Sequence, residues 1–78
     1  MNSTSYGVVL FPSVNHCMRA ESLLQAAGLA CKLIPVPREL SSDCGVALRF
    51  AWPDQEKVQA ILKEVGLDTA GIYPLHAA

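Results

Sequence analysis

The stretch Tyr6-Gly7-Val8-Val9-Leu10-Phe11-Pro12-Ser13 decides the fold. It is apolar, β-branched at its middle and closed by Pro12, which are the marks of a strand. Alternation puts Tyr6, Val8 and Leu10 on one face and Val9 and Phe11 on the other, so both faces are apolar. Ser13 is a good helix N-cap. The helix it opens is expected from Val14 to about Ala27, with Gly28 as its stop. Helical spacing assigns Val14, Cys17, Ala20, Leu24 and Ala27 to its buried face, with Leu23 at the edge.

Beyond this unit, Ala30 to Val36 reads as a second strand. Pro35 and Pro37 near its end place it at a sheet edge, because proline cannot donate to a ladder. Residues 37 to 43 form a polar loop. Gly45 to Ala51 reads as a third strand, with Val46, Leu48 and Phe50 on one face and Ala47, Arg49 and Ala51 on the other. Pro53 begins a second helix, helped by Asp54 and Glu56 in its first turn. Val58, Ile61, Leu62 and Val65 carry the clearest helical period in the chain, and Gly66 ends it. Ala70 to Leu75 is a last short strand, and Pro74 again points to an edge.

The order β-α-β-β-α-β, folded as two right-handed split βαβ units, predicts an α+β ferredoxin-like sandwich: one antiparallel sheet with both helices on one face. The first and third strands are then central. The helices cover one apolar face of the first strand. The other needs a cover too, and a second copy of the sheet is the preferred candidate, so a homo-oligomer is expected.

Size and composition agree with one small domain. The chain has 78 residues, 51% of them hydrophobic and 17% charged. This predicts a single domain over residues 1–78 with a folded core at about 6–75. The net charge of -1 comes without a basic block, so the footprint of a nucleic-acid binder is missing. Nothing in Met1 to Ser5 reads as a signal peptide, and the apolar run Val8 to Phe11 is far too short to span a bilayer. A cytoplasmic location with reduced thiols is expected, and no membrane partner.

The topology gathers certain side chains at one end. The loop after the second strand, the start of the first helix and the loop 66 to 69 all fall there. Cys44 should therefore share that end with Ser13, Asn15 and His16, and with Cys17 if the first turn reaches it. Free backbone N–H groups at a helix start favour negative charge, and a thiol pKa falls beside such a terminus or a cation. His16 and Arg38 are candidate cations, and Ser41 and Ser42 offer hydroxyl donors. Asp43 opposes a thiolate if its carboxylate points at the sulfur. Gly45 allows a close approach or a special backbone angle at the strand entrance.

Blander readings stand beside these. Cys17 and Cys31 read as small buried hydrophobes. His16 also reads as a surface residue, and Arg38 with Glu39 as a solvated loop pair. Trp52 before Pro53 reads as a residue packing the helix start. Arg49, facing away from the helices, fits a bridge across a dimer interface or an anion contact. The three cysteines and two histidines match no disulfide or zinc framework, so no metal and no cofactor are expected. No phosphate loop, GxGxxG, GxSxG or close acidic pair is present.

Val9-Leu10-Phe11-Pro12-Ser13, Arg19-Ala20-Glu21 with Leu23-Leu24, and above all Pro37-Arg38-Glu39-Leu40-Ser41-Ser42-Asp43-Cys44-Gly45 resemble a family of small bacterial proteins, the selenium/sulfur carrier protein-like family. The resemblance covers residues 6 to 75. It implies that Cys44 holds sulfur or selenium as a persulfide or selenosulfide and passes it to a partner enzyme. The protein would then be a carrier rather than a stand-alone enzyme, with donor and acceptor proteins as its partners. It implies no role for Cys17 or Cys31. Two other readings remain open: a regulatory or interaction module that pairs through its sheet, and a thiol redox protein using Cys44 with Cys17.

Overall fold

The computed structural model describes residues 5–37, 40 and 45–75. Its elements are β1 (Tyr6–Leu10), α1 (Val14–Ala26), β2 (Cys31–Pro35), β3 (Val46–Ala51), a 3₁₀ turn (Trp52–Asp54), α2 (Gln55–Glu64) and β4 (Gly71–Leu75). The strands form one antiparallel sheet in the order β2-β3-β1-β4. This is the α+β ferredoxin-like arrangement expected from the sequence, with β1 and β3 central.

The two edge strands carry the prolines, Pro35 in β2 and Pro74 in β4. A proline is tolerated at an edge because its missing N–H would have faced away from the ladder. The helices end where glycine follows: Gly28 and Gly66 both take positive φ. Strand limits differ from the sequence reading by about a residue, because Ala30, Gly45 and Ala70 lie just outside the ladders.

The main core lies between the sheet and both helices. Val9, Phe11, Leu48 and Phe50 pack there against Cys17, Ala20 and Leu24 of α1 and Val58 and Leu62 of α2. Val14 and Ala27 do not join them. Val14 is 43% exposed and Ala27 is also exposed. Both sit at the ends of α1, Val14 as its first residue and Ala27 as its C-cap. Val65 is exposed too, one residue past α2.

The opposite face of the sheet is not bare. Val8, Leu10 and Ala47 are buried there, with Ile34, Val36, Leu40 and Leu75 packed against them. Val36 and Leu40 belong to the segment leaving β2, which is held by a turn from Leu40 N–H to Pro37 O. These segments cover part of that face, while Tyr73, which pairs with Val8 and so projects on the same side, is 38% exposed.

One contact shapes the lower end of the helix-side core. The Trp52 ring stacks on Phe50 with centroids 5.9 Å apart, and Trp52 N–H donates to Ser5 O. Both rings lie over Gly7. A Cβ at Gly7 would sit 2.7 Å from Phe50 Cζ and from Trp52 Cζ3. Trp52 is therefore a packing residue, as its place before Pro53 predicts. Gly7→Ala is expected to cost about 1–3 kcal/mol by overpacking. A urea midpoint unchanged from the parent, with the same Trp52 fluorescence, would contradict this.

Candidate functional site

The upper end of the sheet is built by the register. Leu10 pairs with Ala47 and Gly71, and Pro35 pairs with Val46. The end of β1, the start of α1, the end of β2 and the starts of β3 and β4 therefore meet there. Ala70 N–H donates to Leu10 O at 2.6 Å, and Val36 N–H donates to Gly45 O at 3.3 Å, which ties the two connecting segments to the sheet.

Ser13 caps α1 as expected. It is in extended backbone conformation, and its Oγ accepts the His16 N–H at 3.3 Å. The same Oγ lies 2.6 Å from His16 Nδ1. The hydroxyl can donate to Nδ1 or accept from it while accepting the amide, because its oxygen has two lone pairs. His16 is thereby held at the cap through Nδ1 and its backbone amide. No acidic residue lies in that turn, so nothing there competes for the free N–H groups. Ser13→Ala is expected to lower stability by about 1 kcal/mol, read from chemical denaturation. An unchanged midpoint would mean that the cap contributes nothing.

Gly45 has φ of +80°, and no described residue beyond its chain neighbours lies within 4 Å of where a Cβ would sit. The backbone angle is by itself a reason for glycine there. Of the two roles the sequence allowed it, the special angle is the one the structure displays. Arg38, Glu39, Ser41, Ser42, Asp43 and Cys44 lie outside the described residues. The structure brings Ser13, His16 and Gly45 to one end of the sheet, and Cys44 directly precedes Gly45 in the chain.

The other two thiols sit elsewhere and in different surroundings. Cys17 is fully buried in the helix-side core. Cys31, on edge strand β2, is half-buried, and its Sγ–H donates to Glu21 O at 3.7 Å. Burial first, and then the Glu21 carboxylate, push the Cys31 thiol above its ordinary value. A raised pKa leaves less thiolate at neutral pH, so Cys31 is a poor nucleophile there.

Among the described residues no group of three or more His, Cys, Asp or Glu could hold a metal ion. Among them, too, no helix is long and apolar enough to cross a membrane. Two cavities are lined by described residues, the first of them beside the loop 66 to 69 at the upper end. One of about 260 Å³ is lined by Leu62, Leu67 and Ile72 with Gln59, Lys63 and Thr69. The other, of about 270 Å³, includes Tyr6, Lys32 and Arg49. Neither is lined by Ser13, His16 or Gly45.

No curated protein and no solved structure matches the chain. A family model does, and it spans residues 6–74, from the first residue of β1 almost to the end of β4. The match takes in every helix and strand of the fold together with the segment that carries Cys44, and on it the chain belongs to the family described as Putative Se/S carrier protein-like.

Proposed function

We propose that the protein carries sulfur or selenium on Cys44 and hands it to a partner enzyme. Family membership over residues 6–74 is the observation that carries this reading. The surroundings of the other cysteines support it: Cys17 is fully buried, and the Cys31 thiol is pushed up by burial. Gly45, beside Cys44 in the chain, is exposed.

The transfer needs no cofactor and no external oxidant. The Cys44 thiolate attacks the terminal sulfur of a persulfide on the donor. A new S–S bond forms to Cys44, the donor's S–S bond breaks, and the donor leaves as a thiolate. The proton on the terminal sulfur travels with it. An acceptor thiolate repeats the exchange and regenerates the Cys44 thiolate. Selenium in place of the terminal sulfur follows the same balance. Such chemistry needs an accessible thiol and a docking surface, and a compartment that keeps thiols reduced, such as the cytosol.

The test is direct. The protein is incubated with a cysteine desulfurase and cysteine, then weighed intact and mapped by peptide. One added sulfur on the peptide containing Cys44 is the expected result. No added sulfur, while a known carrier is loaded in parallel, would overturn the proposal.

A further inference from the structure

We propose that the sheet face opposite the helices binds a small oxyanion of the phosphate or sulfate class, held by Lys32 and Arg49. This site is separate from Cys44 and goes beyond the carrier reading.

The register puts Lys32 directly opposite Arg49 across the β2–β3 ladder, and Arg49 opposite Val8 across β3–β1. Residues facing one another in this way project on the same side, with Cβ atoms about 5 Å apart. Two like charges so placed repel each other. Among the described residues, no acidic side chain pairs with either one. Lys32 is exposed, so water screens part of this repulsion, and an anion set between the two heads would remove the rest.

The guanidinium is also held in place. Arg49 Cζ lies 4.4 Å from the centre of the Tyr6 ring, a cation–π contact. Tyr6 pairs with Ala51, two residues along β3 from Arg49, which puts its ring diagonally within reach. Arg49 is half-buried, so its stem also packs on the sheet. Packing alone explains an arginine here. It does not explain a lysine set directly across from it.

Both residues border one cavity. A cavity of about 270 Å³ is lined by Tyr6, Ala30, Lys32, Arg49 and Ala51 with Cys31 and Phe50. None of these is acidic, and Ala30 and Ala51 leave room beside the charges. An arginine fork with an added ammonium is suited to an anion with several acceptor oxygens.

Amide resonances of the full chain are followed while inorganic phosphate is added at constant ionic strength, with chloride as the matched control. Shifts should centre on Tyr6, Lys32, Arg49 and Ala51 and saturate with a dissociation constant on the order of 1 mM. Arg49→Gln and Lys32→Gln should each weaken binding by about tenfold. Cys44→Ser should leave the titration unchanged, so failure here and failure of the carrier reading are told apart. Three results would each overturn the site: equal shifts around Lys57 and Lys63, the same response to chloride, or parental affinity in both Gln variants.

Discussion

Replacing Cys44 by serine is expected to abolish sulfur loading, while Cys31→Ser loads like the parent. The contrast rests on thiolate supply. A persulfide forms only where a thiolate can reach the donor. The Cys31 thiol is pushed up by burial and by the Glu21 carboxylate, and its S–H is engaged with Glu21 O. At neutral pH it stays protonated. Cys17 is fully buried among Phe11, Leu24 and their neighbours, so its control is Cys17→Ala, which keeps the position apolar. The readout is intact mass after desulfurase treatment, with a folded spectrum required of each variant. Loading of Cys44→Ser to the parental level would remove Cys44 from the mechanism. A mixed outcome, with Cys31→Ser loaded poorly, would move the role to the β2 edge.

Phe50→Ala should produce the largest loss of stability, about 3–5 kcal/mol. Phe50 is 1% exposed, next to the last residue of β3. It fills the helix-side core, stacks on Trp52, and lies over Gly7. Collapse into the vacated space is limited, because backbone lies beneath the ring and Trp52 is tied to Ser5 through its amide. A domain of this length has total stability of roughly 4–12 kcal/mol, so the variant is largely or partly unfolded. In thermal unfolding, even 3 kcal/mol corresponds to a fall of roughly 12–24 °C. A fall under about 5 °C would show that the neighbours repack freely.

The fold was legible because a few residues carry strong local physics. The apolar faces of Tyr6 to Phe11 and Val46 to Ala51 mark two central strands. Pro35 and Pro74 mark the edges, and Gly28 and Gly66 mark the helix ends. What escaped the sequence depends on contacts between distant segments. Leu40 reads as an apolar residue in a polar loop, and only the three-dimensional path shows it lying on Val8, Leu10 and Ala47. Gly7 gave no signal, since what excludes a side chain there is the ring of a residue far along the chain. Lys32 and Arg49 become a pair only once the register is known. For the candidate site, the Ser13 cap and the angle at Gly45 followed from local rules. The Ser13–His16 contact through Nδ1 needed the side-chain geometry. Arg38, Ser41, Ser42, Asp43 and Cys44 are outside the described residues, so their roles stay with the proposal.

The prolines at both margins of the sheet have a consequence for how the molecule can be met by others. A chain that joined β2 or β4 as an extra strand would need an unbroken row of amide donors, and Pro35 and Pro74 each leave a gap in that row. Sideways growth is thus discouraged in both directions, and so is runaway self-assembly through β-pairing. Visitors are left with the faces and the loop-bearing ends. Under the proposed carrier function that restriction is useful: encounters would stay short and separable, with no continuous ladder to unzip before the protein moves on.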